Sequence, residues 1–255
     1  MLKSLFRSWA KRAATPDKQP CIPGGQRVYA IGDIHGRSDL FERLLAMIEA
    51  DDEARGAADT TIILLGDFVD RGPDSRKVIE CAIALRSRLP STRWLIGNHE
   101  EVFLSALGGD EKTLRFFVRI GGEQTINSYG LYGADYAKLT FAELGAALRP
   151  LVPREHINFM ASGEDQIVIG DYLFVHAGIR PQVPLSSQKL SDLRWIRDPF
   201  LQYSGDHGHV VVHGHSITDA VDDCGNRIGI DTGAYASGVL TAIGLQGEER
   251  WVLST

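Results

Sequence analysis

Five short loops of this sequence carry side chains that bind metal ions, and each loop directly follows a run of apolar residues. In chain order, these side chains are Asp33, His35, Asp67, Asn98, His176 and His215. Carboxylate, imidazole and amide donors without a thiolate suit Mn, Fe or Zn better than a structural cysteine–zinc site. Two ions about 3.5–4 Å apart that share one carboxylate are a common arrangement for phosphoester hydrolysis, and Asp67 in the central loop is the natural bridge. The sequence therefore predicts two divalent metal ions, with Mn as the first expectation and Fe or Zn as alternatives.

The apolar runs in the first half of the chain predict strands that alternate with helices. The predicted strands cover residues 28–31, 60–65 and 93–96, and each is followed by a ligand-bearing loop and then by a predicted helix. Strands and helices that alternate in this way form βαβ units and a parallel sheet. Ligands bind beyond the carboxyl ends of such strands, so we expect the six side chains to meet in one cleft.

The second half of the chain has a different pattern. Residues 108–163 interrupt the alternation, and their composition predicts a small helical cap inserted into the domain. Short apolar runs then predict strands, of which the first two form a hairpin around the two-residue turn Gly170-Asp171. We therefore divide the chain into an N-terminal tail and linker, residues 1–26, and one α/β domain, residues 27–255, whose second half is antiparallel or mixed β-structure.

The composition disfavours several classes of protein. The 255 residues are 44% hydrophobic and 24% charged, which is typical of a globular domain with its own core. A net charge of −6 argues against stable nucleic-acid binding and against a nuclease, both of which use a basic face. The three cysteines form no CxxC pair, which disfavours a disulfide framework. No apolar run approaches about 18 residues, so we expect no transmembrane segment and a cytoplasmic location.

The first residues of the chain leave two interpretations open. Residues 1–12 mix apolar with basic side chains and lack the uninterrupted apolar stretch of a secretory signal. The same pattern fits a partly ordered tail, which we favour, and a short amphipathic helix on an anionic membrane surface.

Five motifs resemble the signature sequences of the PPP-type, calcineurin-like metallophosphoesterases. They begin at Gly32 (GDIHG), Gly66 (GDFVDRG), Gly97 (GNHE), His176 (HAG) and His213 (HGH). The family comprises serine/threonine phosphoprotein phosphatases and symmetrical diadenosine tetraphosphatases, and the cap is most similar to that of the bacterial members. The resemblance covers about residues 27–247 and implies a sandwich of two mixed β-sheets flanked by helices, with the cap over the cleft.

The resemblance also implies a role for each matching residue. One metal would be held by Asp33, His35 and Asp67, and the other by Asp67, Asn98, His176 and His215. His99, oriented by Asp70, would protonate the leaving alkoxide. Arg71 and Arg197 would hold the phosphoryl oxygens through their planar guanidinium groups.

These roles imply hydrolysis of a phosphoester, in which a metal-bridging hydroxide attacks phosphorus in line with the leaving group. Our first hypothesis is a serine/threonine phosphoprotein phosphatase. A symmetrical diadenosine tetraphosphate hydrolase is the alternative, because it shares every motif and the cap does not decide between the two. A binding module that has lost catalysis is disfavoured, since none of the six ligand positions is substituted.

A few positions are left without a firm role. Ile96 stands where eukaryotic phosphoprotein phosphatases usually carry arginine, so their substrate contacts are not carried over. We interpret Glu100 as an acidic residue that favours the start of a helix. Whether His213 and Tyr235 contact the site stays open, as do the physiological substrate, the native metals and the oligomeric state.

Overall fold

The computed structural model describes residues 19–255, which contain two five-stranded β-sheets. The predicted segment at residues 1–12 lies outside the described residues. The strands are β1 (Gln26–Ile31), β2 (Asp59–Leu64), β3 (Arg93–Trp94), β4 (Gln166–Ile169), β5 (Tyr172–Val175), β6 (Val210–His213), β7 (Asp222–Asp223), β8 (Arg227–Gly229), β9 (Thr241–Gln246) and β10 (Glu249–Ser254).

The first sheet contains the parallel strands that the sequence predicts, in the order β10-β9-β1-β2-β3. β1, β2 and β3 run parallel, and Val28 of β1 pairs with Thr61 of β2. β9 and β10 extend this sheet as antiparallel strands on its other side. β3 is shorter than predicted, because beyond it only a single bridge between Leu95 and Glu164 continues the pairing.

The second sheet has the order β4-β5-β6-β8-β7 and is also mixed. β5, β6 and β8 are parallel, whereas β4 and β7 are antiparallel to their neighbours. β4 and β5 form the predicted hairpin, in which Gly170 has a φ of +58°. Glycine adopts this left-handed conformation at little cost, which makes the two-residue turn possible.

Helices cover the outer faces of the sheets. Before β4 they are α1 (Ser38–Ala54), α2 (Ser75–Arg88), α3 (Asn98–Leu107), α4 (Glu111–Phe117), α5 (Glu123–Ser128), α6 (Gly133–Ala137), α7 (Phe141–Leu148) and α8 (Arg154–Ala161). The later helices are α9 (Leu190–Trp195), α10 (Asp198–Leu201) and α11 (Ala234–Ser237). A π-helical turn (Val118–Gly122) joins α4 to α5, and 3-10 turns lie at Arg149–Leu151 and Leu185–Ser187. Within residues 19–255 no helix combines the length and the hydropathy needed to cross a bilayer.

Alternate residues of β1 face two different cores, because successive side chains of a strand point to opposite faces. Val28 and Ala30 lie between the two sheets, where they pack with residues of β5, β6 and β8. Tyr29 and Ile31 belong to the other core, which includes buried residues of α1, α2 and α3. The structure is therefore the predicted sandwich of two mixed sheets flanked by helices. With a core on each face, the carboxyl ends of the strands are well supported for the loops that follow them.

Candidate metal centre

The loops that follow β1, β2, β3, β5 and β6 meet at one edge of the sandwich. The His35 backbone N–H donates to the Asp67 carbonyl at 2.8 Å, which joins the first two loops. The Gly214 N–H donates to the His176 carbonyl at 2.8 Å, which joins the last two. All six side chains predicted as ligands are buried at this edge, and the most exposed of them, His215, has an exposed fraction of 8%.

Asp67 lies between two groups of histidines. Its Oδ2 is 3.4 Å from Nε2 of His35 and 4.0 Å from Nε2 of His99. Its Oδ1 is 3.4 Å from Nε2 of His176. Burial raises the pKa of Asp67, but the histidines around it, led by His176, outweigh that effect and leave it lowered. Asp67 is therefore a carboxylate with one oxygen available to each group.

Asn98 joins the two histidines that come from the second sheet. Its Oδ1 is 3.0 Å from Nε2 of His176 and 2.8 Å from Nδ1 of His215. Together with Asp67, these histidines have one potential ligand atom each within 4.8 Å of one another. His35, Asp67 and His99 form a second group of the same kind. Two adjoining groups that share one carboxylate have the composition of a dinuclear site.

Backbone carbonyls set the orientation of two of the histidines. Nδ1 of His35 is 2.7 Å from the Val69 carbonyl, and Nδ1 of His176 is 2.8 Å from the Leu65 carbonyl. A ring that donates from Nδ1 has its lone pair on Nε2, which is the nitrogen that lies near Asp67 in both rings. Burial lowers the pKa of His35 to about 3, so this ring is neutral at pH 7, as a ligand must be.

Two buried atoms of the cluster have no hydrogen-bond partner among the described residues. They are Oδ1 of Asp33 and Nε2 of His215. The other Asp33 oxygen accepts the His215 backbone N–H at 2.9 Å, so the two residues are adjacent. Burial lowers the pKa of the His215 ring to about 2, which also keeps it neutral. A buried carboxylate oxygen without a donor is unfavourable, and a bound cation would compensate it, so the residues present fit divalent metals.

His99 and Asp70 form a hydrogen-bonded pair next to Asp67. Nδ1 of His99 is 2.5 Å from Oδ2 of Asp70, and the Thr125 hydroxyl donates to Oδ1 of Asp70 at 2.7 Å. Burial lowers the pKa of His99, but Asp67 and Asp70 outweigh burial and leave that pKa raised. Thr125 belongs to α5, so the region predicted as a cap supplies one support of this pair.

The two predicted arginines occupy different positions. Arg71 is half-buried, and its guanidinium nitrogens lie 3.0 Å from Nε2 of His35 and 3.0 Å from Nε2 of His99. Arg197 is exposed, and it donates to the Ser216 hydroxyl at 3.3 Å, next to His215 in the chain. Arg71 thus lies over the first-sheet side of the cluster, and Arg197 lies at the rim of the second-sheet side.

Backbone strain is concentrated in the same loops. Non-glycine residues with left-handed φ values between 44° and 72° are His35, Asp67, Asp70, Arg71 and His215. In the described part of the chain the only other such residue is Gln182. Each conformation of this kind costs on the order of 1–3 kcal/mol and persists where the surrounding structure enforces it, commonly at functional sites. The packing of the loops is tight as well, since a Cβ at Gly97 would lie 2.2 Å from Oδ1 of Asp67.

Glu100 has a larger role than the sequence interpretation assigned to it. Its carboxylate is fully buried and accepts backbone N–H groups from Asp67 at 2.7 Å, Phe68 at 2.8 Å and Gly97 at 3.0 Å. Burial and the nearby Asp67 raise the pKa of Glu100 to about 8, against the lowering effect of these donors. Glu100 therefore fixes the loop that carries Asp67. A glutamate three residues after the N-cap Gly97 is the readable signal for such a contact.

The two residues left open by the sequence differ in their positions. His213 is buried, with Nδ1 3.0 Å from the Gly214 carbonyl and its ring 5.0 Å from that of Phe200. It belongs to neither group of potential metal ligands. Tyr235 is half-buried at the site, with its ring 5.6 Å from that of His35 and 5.0 Å from the Arg71 guanidinium.

The sequence matches a described protein family and several characterised proteins. The model of the calcineurin-like phosphoesterase family matches residues 26–237. A symmetrical bis(5'-nucleosyl)-tetraphosphatase of Acidovorax sp. (strain JS42) is 32% identical over 179 residues, which are 70% of this chain and 49% of that protein. Serine/threonine-protein phosphatase 2 of Salmonella typhimurium (strain LT2) is 26% identical over 230 residues, which are 85% of this chain and 91% of that protein.

The fold is also similar to that of solved structures. A crystal structure of a candidate diadenosine tetraphosphatase aligns with a TM-score of 0.61 and 21% identity, covering 93% of this chain and 98% of that one. At this identity the likeness concerns the fold alone. The chain spans about half the length of the Acidovorax tetraphosphatase, but it spans most of the Salmonella phosphatase.

Proposed function

Because this chain belongs to the calcineurin-like phosphoesterase family, we propose that it hydrolyses phosphoserine and phosphothreonine esters in proteins with the aid of two divalent metal ions. The observation that carries the proposal is the position of Asp67, whose two oxygens face two different groups of histidines. The protein substrate is supported by the Salmonella protein phosphatase, of which the match covers 91%.

In this proposal each metal ion has its own set of ligands. One is held by Asp33, His35 and Asp67, and the other by Asp67, Asn98, His176 and His215. When bound, the two ions supply a hydroxide nucleophile at neutral pH and neutralise charge on the phosphoryl oxygens. Mn is the metal that we propose first, with Fe and Zn as alternatives, because the donors are carboxylate, imidazole and amide groups.

The protonated ring of His99 supplies the proton that the leaving alkoxide needs. Asp70 holds the Nδ1 proton of His99, so Nε2 is the nitrogen that donates to the alkoxide. Asp67 and Asp70 keep the pKa of His99 raised, which favours the protonated form that this step requires. Asp70 in turn is fixed by the Thr125 hydroxyl, so the imidazole has a defined direction.

Arg71 orients the phosphoryl group. Its two terminal nitrogens lie at equal distances of 3.0 Å from the rings of His35 and His99. A planar guanidinium binds two phosphoryl oxygens at once, and from this position it aligns phosphorus between the metal ligands and the proton donor. Arg197, at the rim beside Ser216, gives a second contact of the same type.

Symmetrical hydrolysis of diadenosine tetraphosphate is the second candidate function. It is favoured by the Acidovorax relative, which is the more similar of the two relatives in sequence at 32% identity. The ligand set and the proton donor serve both reactions, because both break a P–O bond at the same kind of centre. The two candidates therefore differ in the substrate and not in the chemistry.

One comparative assay distinguishes the candidates. Metal-free protein is loaded separately with Mn, Fe(II) or Zn, and turnover is measured on a phosphothreonine peptide, diadenosine tetraphosphate and p-nitrophenyl phosphate. We expect the highest kcat/KM on the peptide with Mn. Faster release of ADP from diadenosine tetraphosphate would replace the protein substrate with the dinucleotide. No turnover of any of the three substrates would contradict the enzymatic function.

A further inference from the structure

Asp231 is a buried carboxylate at the same edge as the metal centre. It follows β8, and its exposed fraction is 1%. Its Oδ1 accepts the backbone N–H of Gly233 at 2.9 Å, whereas its Oδ2 has no hydrogen-bond partner in the described part of the chain. The Thr218 N–H binds the Asp231 carbonyl at 3.0 Å, which fixes the backbone at this point.

Asp231 is close to Asp33, since a Cβ at the adjacent Gly32 would lie 3.6 Å from the Cα of Asp231. Burial and the charge of Asp231 raise the pKa of Asp33, and Asp33 also has one buried oxygen, Oδ1, without a hydrogen-bond partner among the described residues. The ends of β1 and β8 are held together tightly, since a Cβ at Gly32 would lie 2.4 Å from the Ile230 carbonyl oxygen. The backbone segments that carry the two carboxylates are therefore in direct contact.

Other buried carboxylates near the site accept hydrogen bonds from two or more donors, whereas Asp231 accepts one. Glu100 accepts three short backbone N–H bonds, and Asp70 is bonded to both His99 and Thr125. Asp231 receives one N–H group and has the carboxylate of Asp33 beside it. Two buried carboxylates that lie side by side cannot both stay ionised unless a cation compensates their charge, so a bound cation is the partner that would allow both to be charged.

We propose that Asp231 is a positioning residue of the metal centre, which acts through Asp33 to raise the affinity for a divalent cation. The inference rests on the proposed function, because it assumes that Asp33 holds a metal ion. The negative charge of Asp231 strengthens binding of a cation at Asp33, and it keeps the Asp33 carboxylate directed toward the ligand cluster.

The test is the variant Asp231→Asn, measured without any substrate. Mn²⁺ binding to metal-free protein is followed by titration calorimetry, and thermal unfolding is followed with EDTA and with Mn²⁺. We expect Mn²⁺ to bind about 10- to 100-fold more weakly at one of two sites, the usual effect of losing a group that supports a metal ligand. With EDTA the variant should unfold at the same or a higher temperature than the wild type, because an amide N–H can donate to the free oxygen of Asp33.

A matched control is Asp223→Asn, in the strand β7 that neighbours β8. It removes an exposed carboxylate that pairs with Arg250 at 3.1 Å. It should leave Mn²⁺ affinity unchanged. Wild-type affinity in Asp231→Asn would overturn the inference and leave the proposed function intact. A variant that is less stable than the wild type in EDTA, or that fails to fold there, would also overturn it, since Asp231 would then serve the metal-free fold. A wild-type protein that binds no Mn²⁺ would overturn the inference and the proposed function together.

Discussion

The two sheets contribute different chemistry to the edge at which they meet. Loops of the first sheet carry the pair His99 and Asp70 together with Arg71, so the proposed proton donor and the main proposed contact to the phosphoryl oxygens come from one side. Loops of the second sheet contribute the rings of His176 and His215, which form a group of potential metal ligands with Asp67.

The two sides also differ in how they are fixed. On the first-sheet side, Glu100 holds the Asp67 loop through backbone N–H groups, and Thr125 holds Asp70. On the second-sheet side, His176 is oriented by the Leu65 carbonyl and by Asn98, which belong to the first sheet. The second-sheet histidines are therefore positioned by the first sheet. Asp67 lies next to the histidines of both sides. Its substitution should therefore weaken metal binding on both sides equally.

The largest effect is expected for Asp67→Asn. The substitution keeps the size of the side chain but removes the charge that both histidine groups face, so both metal ions should be bound weakly. We expect kcat/KM to fall about 10³-fold or more, because metal ions contribute several kcal/mol to such reactions and each ~1.4 kcal/mol is about a factor of ten. The loss should be similar on a phosphothreonine peptide and on p-nitrophenyl phosphate. Asp59→Asn, at the exposed start of the same strand, is the control, and a wild-type rate in Asp67→Asn would rule out the shared ligand.

The next effect should depend on the leaving group. His99→Ala removes the proton donor, and general acid catalysis contributes about 10²- to 10⁴-fold where the leaving group is a poor one. We expect this loss on the phosphothreonine peptide and a much smaller loss on p-nitrophenyl phosphate, because p-nitrophenolate leaves without a proton. His209→Ala, which changes a histidine outside both ligand groups, should leave both rates unchanged. Equal losses on the two substrates would place His99 among the metal ligands instead.

The two arginines should differ in importance. Arg71→Ala removes a half-buried guanidinium at the centre, and a hydrogen bond to a charged group is worth about 1.5–3 kcal/mol, so kcat/KM should fall roughly 10- to 100-fold. Arg197→Ala removes an exposed guanidinium that is screened by salt, and we expect a loss of about tenfold or less that shrinks at high ionic strength. The comparison is made by measuring kcat/KM for both variants at two salt concentrations. A larger loss for Arg197→Ala would reverse the assignment of the main phosphate contact.

Much of the proposed site was predictable, because each of its proposed metal ligands is marked by its position just after an apolar run. Each proposed ligand follows an apolar strand directly, and Asp67 lies in the central loop, so the convergence follows from the parallel strands of the two sheets. The sequence also shows the N-cap pattern in which Glu100 follows Gly97 by three residues. It does not show that Glu100 holds the Asp67 loop. Asp231 follows an apolar run in the same manner as the proposed ligands, and this pattern could have drawn attention to it.

Other features depend on contacts between distant segments. Thr125 supports Asp70 from 55 residues away, and no spacing rule connects them. The short length of β3 depends on whether a neighbouring segment continues the pairing, and here Leu95 meets only Glu164. Such contacts are set by tertiary packing, which a single sequence does not specify locally.

The smallest expected effect is a shift in pH dependence. Asp70→Asn removes a carboxylate that raises the pKa of His99 against the lowering effect of burial. With less negative charge nearby, His99 loses its proton at lower pH, so less of the acid form is present at any given pH. We therefore expect the alkaline limb of the kcat/KM profile on the phosphothreonine peptide to move to lower pH by about one unit or more. The profile is compared with that of the wild type at saturating Mn²⁺. A limb that stays in place, or moves to higher pH, would show that the group titrating there is not His99, and the first-sheet side would then lose its distinction as the source of the proton.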